Sequence, residues 1–287
     1  MSSTASRLLG RCRFPAPGTS VTCAVSGGAD SLALLVLAGE AGCQVTAVHV
    51  DHCLRPGSDS EAGVVRAAAS RFGAAFIAAR APVSAGPNLE ARAREARYAV
   101  LPPDALTGHT ADDQAETVLL NLMWGAGLDG LAAMDPERHP LLRLRRRETR
   151  ALCDELGLVP VEDPTNADRA FRRNRVRHEL FPLLDDIAGR DVAAVVARQA
   201  ELVGDEGRLL DQLASAIDPT DAAALAAAPV ALARRAVRGW LAPHGHPPDA
   251  ATVERVLQVA RGAARAADAG GGRRVLRTGG RLRIEDG

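Results

Sequence analysis

The chain of 287 residues contains no lysine, so its 35 basic residues are all arginine. This absence excludes Schiff-base chemistry, pyridoxal-phosphate chemistry and the phosphate-binding lysine of a Walker-A loop. Aromatic residues make up only 3% of the chain, too few for a sheet surface on which successive bases stack. No apolar run reaches the length of a membrane span, and the N-terminus lacks the pattern of a secretory signal. We therefore expect a cytosolic protein with no membrane partner.

Cysteine is also scarce, and none of the five residues forms a C-x-x-C pair. In a chain without a secretion signal, this spacing disfavours a disulfide framework, a zinc ribbon and a cysteine-ligated cluster. Cys23 and Cys43 are better interpreted as small core residues.

The formal net charge is zero, but arginine is concentrated in three stretches. The first, residues 138–150, has six arginines and one acid; the second, residues 169–177, has five and none; the third, residues 255–283, has eight and one. Locally basic surfaces can bind a polyanion such as RNA. A solvated arginine-rich surface explains the same composition, so both interpretations stay open here.

The first part of the chain alternates between strand-like and helix-like segments, with strands predicted at 21–26, 44–52, 74–83 and 104–109. This alternation predicts a parallel sheet covered by helices, and we assign an α/β, Rossmann-like domain to residues 1–185. After residue 185 good helix formers dominate, which predicts a smaller helical domain over residues 186–287. Its β-like end suits a hairpin that turns at Gly279 and Gly280.

A glycine-containing loop between the first strand and its helix is the strongest chemical signal. At the end of a parallel strand, a Gly-Gly turn and the following helix N-terminus direct N–H groups at an anion. Asp30 stands where a phosphate-bound Mg²⁺ can be held. A capped glycine turn explains an arbitrary S-G-G, but the position after the first strand favours phosphate binding. The phosphate-binding residues predicted here are Ser26, Gly27, Gly28, Ala29, Asp30 and Ser31.

Acidic and histidine residues follow two other predicted strands. Asp113 and Glu116 are three residues apart, so they share one face of a helix and can hold a cation or accept a proton. An acidic helix start that favours the helix dipole explains them equally well. His49 and His52 end the second strand, where open α/β sheets place ligand contacts, and no further cluster beside them supports zinc.

The loop resembles the S-G-G-x-D-S pyrophosphate loop of the N-type ATP pyrophosphatases. Four further segments, in the family's order, make the chain similar to the tRNA(Ile)-lysidine synthetase family over about residues 20–185. Cys53 and Thr110 depart from the pattern, since the family usually has glycine and a second histidine there. The four segments are residues 49–55, 88–98, 108–117 and 173–179.

This resemblance implies an adenine nucleotide alpha hydrolase-like fold and the use of ATP with Mg²⁺, Asp30 being the metal ligand. The implied reaction joins free lysine to C2 of the wobble cytidine in the CAU anticodon of tRNA(Ile). It proceeds through an adenylated cytidine and releases AMP and diphosphate. The implied site residues are Asp113 and Glu116 for lysine, His49 and His109 for the nucleotide, and His52 with Arg175 or Arg177 at the reaction site.

Two other functions are alternatives to this one. A tRNA sulfurtransferase of the same superfamily needs a thiol or cluster site, which the lack of a C-x-x-C pair disfavours. A non-catalytic RNA-binding module that uses only the arginines has no reason to keep Asp30, Asp113 and Glu116. The helical domain is expected to contact the tRNA, and its apolar surface makes a homodimer a candidate assembly.

Overall fold

Four parallel strands form the sheet of the first of two compact units, which runs to Leu202. The computed structural model of the chain describes residues 3–53, 59–83, 86, 89–162, 168–242 and 248–286. The strand order β3-β2-β1-β4 confirms the predicted α/β fold with a parallel sheet. The strands are β1 (Ser20–Ala24), β2 (Gln44–Asp51), β3 (Ala75–Arg80) and β4 (Leu106–Thr107).

Helices connect and follow these strands. The second helix is the most apolar, and its leucines Leu32, Leu34, Leu35 and Leu37 are almost fully buried in the core under β1 and β2. The helices up to the end of the sheet region are α1 (Ser3–Leu9), α2 (Ala29–Glu40), α3 (Asp59–Arg71), α4 (Leu89–Val100), α5 (Ala111–Met123), α6 (Leu128–Ala132) and α7 (Arg146–Glu155).

The strand order places a ligand crevice between β1 and β4. From β1 the chain builds outward through β2 to β3, and it then returns to pair β4 with the free side of β1. Cys23 and Ala24 of β1 pair with Leu106 and Thr107 of β4. In open parallel sheets, ligands bind at the carboxyl ends of the strands where the order reverses in this way.

A continuous helical run follows the sheet region and contains one widened turn. It consists of α8 (Arg172–Arg175), a π-helical turn (Val176–Leu180) and α9 (Phe181–Ala188). The long helix α10 (Val192–Ala214) comes next, and the division between the two compact units falls inside it, at Leu202 and Val203. The functional boundary after residue 185 stays a prediction.

The second unit has its own core between helices and a small sheet. Val237, Val256 and Val275 are completely buried there. The antiparallel order β5-β6-β7 includes the predicted hairpin, with Gly279 and Gly280 at its turn. The elements are α11 (Ala222–Ala227), α12 (Val230–Leu241), α13 (Ala250–Ala260), β5 (Ala266–Gly270), β6 (Arg273–Thr278) and β7 (Arg281–Asp286).

None of the helices in the described ranges is both long enough and apolar enough to cross a bilayer.

Candidate active site

The S-G-G-A-D-S loop leaves the carboxyl end of β1 and leads directly into α2. Gly27 has φ +95°, a conformation that favours glycine, and a Cβ added there would lie 3.0 Å from Cγ2 of Val161. The Ser31 hydroxyl accepts the Gly27 N–H at 3.2 Å and donates to the Gly28 carbonyl at 2.8 Å. Ser26 Oγ lies 3.2 Å from Ser31 Oγ, so the loop is closed on itself by hydroxyl contacts.

The first turn of α2 offers its amides to an anion. Its N-cap residue is Gly28, and no side chain caps these N–H groups. Gly108, just after β4, packs against the same turn: a Cβ there would lie 2.6 Å from the Asp30 carbonyl oxygen, which leaves room for glycine alone. On the other side, His49 Nδ1 lies 3.0 Å from the carbonyl oxygen of Val25, the residue before the loop. The predicted phosphate-binding loop therefore has support from both neighbouring strands.

Asp30 lies in this first turn, where some neighbouring groups favour its ionised form and others oppose it. Thr149 of α7 donates a short hydrogen bond to its carboxylate, and the Arg146 guanidinium lies 3.5 Å away. Burial, followed by the negative charge of Asp113, raises the pKa of Asp30 to about 6, although Thr149 and Arg146 favour the ionised form. A carboxylate with a raised pKa in a crevice is typical of functional sites.

The predicted carboxylate pair lies on the first turns of α5 and is held by arginine. Asp113 Oδ2 accepts the N–H of Thr110 at 2.8 Å and its hydroxyl at 2.9 Å, which starts the helix with a capping box. Asp113 Oδ1 receives Arg146 at 2.8 Å. Burial opposes ionisation of Asp113, but Arg146, His109 and Arg173 outweigh it and hold its pKa below the usual range.

Glu116 is 1% exposed and contacts three guanidinium groups. Arg177 Nε donates to it at 2.7 Å, and Arg173 Nε lies 3.0 Å from its second oxygen. Arg146 is the third, with a longer contact of 3.3 Å. A buried carboxylate needs such partners to remain charged, so Glu116 and the arginines form one interdependent cluster.

The π-helical turn brings two arginines of the second stretch to this cluster. Arg173 precedes the turn and Arg177 lies within it, four residues later, so both face Glu116. Arg175 lies two residues from each and points the other way. Its side chain is 63% exposed and pairs with Glu179. Of the two arginines that the sequence left open, the structure brings Arg177 to the site and leaves Arg175 outside.

The other predicted histidines occupy different positions. His109 follows β4, with its Nδ1 2.6 Å from the Thr107 hydroxyl, which also contacts His139 Nδ1 at 2.5 Å. His109 contributes to the lowered pKa of Asp113, so it lies near the carboxylate cluster. His52 lies at the end of β2 with Nδ1 3.3 Å from the Ala81 carbonyl, and burial lowers its pKa. The structure shows no contact between His52 and the carboxylate cluster among the described residues.

Sequence reasoning missed three participants: Arg146, Thr149 and His139. Arg146 and Thr149 lie in the first arginine-rich stretch, which signalled a basic region but not which residues turn inward. Arg146 turns inward because Asp112 anchors the start of α7: its carboxylate accepts the Arg146 N–H at 2.8 Å and pairs with Arg145 at 2.7 Å. No motif linked His139 to His109, since they are thirty residues apart and meet only through the fold.

The donor set fits Mg²⁺ held together with a nucleotide. Within the described ranges, no group of three or more His, Cys, Asp or Glu residues can hold a metal unaided. Mg²⁺ usually takes one or two carboxylates and completes its shell with phosphate oxygens and water. Asp30, at the mouth of the amide-lined loop, supplies a carboxylate in the place where phosphates would lie.

Two family models match the chain. Residues 1–184 match the model described as a PP-loop domain, and residues 221–283 match the model described as a TilS substrate binding domain. The first match includes the loop, the carboxylate pair and all three arginines that contact Glu116.

Comparisons with known proteins agree with the two family models. The chain is 45% identical over 249 residues to the tRNA(Ile)-lysidine synthase of Nocardia farcinica, covering 81% of this chain and 78% of that protein. It is also 45% identical to the corresponding synthase of Rhodococcus erythropolis, covering 78% and 74%. The U34-tRNA thiolase NcsA from Methanococcus maripaludis shares the fold, with a TM-score of 0.55 at 18% identity over 70% of this chain and 77% of that one. The motifs of this chain, its domain matches and the two synthases show that the chain belongs to the tRNA(Ile)-lysidine synthase family.

Proposed function

We propose that this protein joins free lysine to C2 of the wobble cytidine of tRNA(Ile) with a CAU anticodon, using ATP and Mg²⁺. The observation that carries the proposal is the juxtaposition of an open helix N-terminus with a buried carboxylate–arginine cluster at one crevice. The first part suits a diphosphate leaving group, and the second suits a cationic amine and a negatively charged intermediate.

In the first step, the C2 oxygen of the cytidine attacks the α-phosphorus of ATP. The bond between the α- and β-phosphates breaks, diphosphate leaves, and the cytidine carries AMP on its C2 oxygen. We assign the amides at the start of α2, with Ser26 and Ser31, to the leaving diphosphate. Mg²⁺ bound through Asp30 would neutralise phosphate charge.

In the second step, the ε-amine of lysine attacks C2 and AMP departs. The amine must reach Asp113 and Glu116, which already contact arginine. We propose that the incoming ammonium replaces Arg146 there, because the contacts of Arg146 to Glu116, at 3.3 and 3.4 Å, are longer than those of Arg177 and Arg173. Asp113 or Glu116 can then accept the proton that the attacking amine loses.

The remaining arginines have a complementary role. Arg173 and Arg177 contact the buried Glu116 carboxylate at 3.0 and 2.7 Å. Guanidinium groups bind phosphate and carboxylate oxygens through paired N–H donors. We assign Arg177 to the AMP phosphate or the lysine carboxylate, and we assign the exposed arginines of the terminal sheet, Arg274 and Arg283, to the tRNA backbone. A cytoplasmic location follows from these substrates, and a homodimer stays a prediction that sedimentation can test.

The test is direct. Purified protein with unmodified tRNA(Ile), ATP, Mg²⁺ and radiolabelled lysine should label the RNA, with one AMP and one diphosphate released per lysine attached. A tRNA with uridine at the wobble position is the control and should stay unlabelled. Binding of the RNA without ATP cleavage would leave only the non-catalytic RNA-binding function.

Sulfur transfer is disfavoured by the surroundings of the cysteines. Cys53 is exposed, but desolvation and the neighbouring Asp51 carboxylate raise the pKa of its thiol. Cys23 and Cys153 are completely buried in the core, and burial raises the pKa values of their thiols to about 12 and about 11. A reactive thiol is instead accessible and has a lowered pKa. Entry of cysteine sulfur into the RNA in place of lysine would overturn the proposal.

A further inference from the structure

An exposed tryptophan ends the helix that carries the carboxylate pair. Trp124 is the C-cap residue of α5 and is 68% exposed. Leu122 and Met123 before it are 56% and 59% exposed, so the end of the helix presents an apolar surface to its surroundings. The chain has only two tryptophans, and a large exposed ring commonly marks a binding surface.

An arginine lies over the ring. The guanidinium carbon of Arg172 is 4.8 Å from the centre of the Trp124 indole, which is a cation–π contact. Among the described residues, no ion pair or hydrogen bond involves the Arg172 side chain. The surface therefore combines an aromatic face with an uncompensated positive charge, which are the two features that bind an unpaired nucleotide.

This surface is connected to the active site by adjacent residues. Arg173, the neighbour of Arg172, lies 3.0 Å from Glu116 and donates to the Thr117 hydroxyl at 2.7 Å. Trp124 follows Glu116 by eight positions, which is about 12 Å along an α-helix. At roughly 3.4 Å per stacked nucleotide, this is a span of about three to four nucleotides.

We propose that Trp124, supported by Arg172, stacks with an unpaired base of the anticodon loop while the wobble cytidine occupies the active site. The inference rests on the proposed function. An enzyme that acts on a base removes it from its stack, and the neighbouring bases then need new partners. The distance from Glu116 assigns the stacked base to the anticodon loop, because the acceptor end of a tRNA lies much farther from the wobble position. The unpaired charge of Arg172 favours RNA over a second copy of the chain, whose net charge is zero.

The first experiment measures the tryptophan itself. Trp240 is partly buried against the core of the second unit, and Trp240→Phe leaves Trp124 as the single tryptophan reporter. Titration with an unmodified anticodon stem-loop RNA should quench its emission in a saturable way, and a stem-loop with abasic loop positions should quench it much less. A dependence of the emission on protein concentration alone would assign this surface to a contact between copies and overturn the inference.

The second experiment separates this role from the chemistry. Trp124→Ala should raise the KM for tRNA by about 5- to 150-fold, the equivalent of one base–aromatic stack, with kcat changed less than twofold. Trp124→Phe should recover most of the affinity, and Ile187→Ala, at an exposed apolar residue of α9 outside this surface, is the matched control. An unchanged KM with normal lysidine formation would overturn this inference alone, whereas quenching without lysine attachment would overturn only the proposed reaction.

Discussion

Arginine is used in opposite ways in two regions of the molecule, the cluster around Glu116 and the sheet of the second unit. In the first unit, Arg146, Arg173 and Arg177 turn inward and share the buried Glu116. In the sheet of the second unit, Arg274 and Arg283 are exposed, and no carboxylate of the described residues forms an ion pair with either. Arginine therefore forms a buried ionic cluster around Glu116 and carries a solvent-exposed charge in the sheet of the second unit.

The difference between these regions is one of dielectric environment. Charges in a buried cluster interact strongly and are little screened by salt, so each depends on the others. Exposed arginines contribute little to folding, but they can displace counterions from a nucleic acid. Local sequence composition cannot separate the two uses, because both regions appear as basic stretches; the separation comes from which carboxylates the fold brings near.

The largest expected effect comes from the buried carboxylate. Glu116→Gln removes the charge shared by three arginines, and loss of one member of a buried ionic cluster costs about 3–5 kcal/mol. We expect kcat/KM for lysine to fall at least about a hundredfold, with a smaller loss in ATP affinity, as measured by steady-state kinetics and equilibrium nucleotide binding.

The matched control for that variant is Glu285→Gln in the second unit. Glu285 is exposed and lies opposite Arg274 in the register of β6 and β7, without an ion pair between their side chains. This variant should retain wild-type lysine kinetics. Equal losses of lysine use and ATP affinity in Glu116→Gln would remove the assigned role of that residue.

The second effect concerns stability and pH. Folding raises the pKa of Asp30 from 3.8 to about 6, so the folded state loses about 3 kcal/mol relative to the unfolded state as pH rises through this window. Asp30→Asn lacks this loss. The free energy of unfolding of this variant should therefore equal that of the wild type near pH 4 and exceed it by up to about 3 kcal/mol near pH 7. The variant should also lose ATP turnover. Urea denaturation from pH 4 to pH 7 measures the difference.

A second substitution checks the sign of that effect. Thr149 donates to the Asp30 carboxylate and favours its ionised form. Thr149→Val should therefore raise the pKa of Asp30 further and reduce stability more at pH 7 than at pH 4. A pH-independent difference in either variant would contradict this account of Asp30.

The smallest expected effect is in the exposed region. Arg274→Ala or Arg283→Ala should each reduce the slope of log affinity for tRNA against log salt concentration by about one, the value for one lost phosphate contact. ATP binding should not change. Arg234, an exposed arginine that pairs with Glu254, provides the control, since its substitution should leave the slope unaltered.

Much of the architecture could be predicted from the sequence because it depends on local patterns. The parallel sheet followed from the alternation of strands and helices, and the terminal hairpin followed from Gly279 and Gly280. The position of the phosphate loop followed from its place after β1. The third strand of the terminal sheet, β5, was missed because Ala266–Gly270 is rich in alanine and glycine, which have low strand propensity.

Side-chain partners across long separations could not be predicted in the same way. Arg146 reaches Asp30, which is 116 positions earlier, only because α7 packs beside α2. The choice between Arg175 and Arg177 depends on a π-helical turn, which leaves no distinctive pattern in the sequence. The PP-loop motifs therefore located the crevice, and the fold selected the side chains within it.

The two carboxylate oxygens of Asp113 have different partners, and this difference bears on turnover. Oδ2 is committed to the beginning of α5 through Thr110, whereas Oδ1 alone meets the guanidinium of Arg146. One cation can therefore be exchanged for another at Oδ1 without unwinding the first turn of the helix. Under the proposed mechanism, the lysine ammonium would replace the Arg146 guanidinium at Oδ1 while the hydrogen bonds that start α5 stay in place.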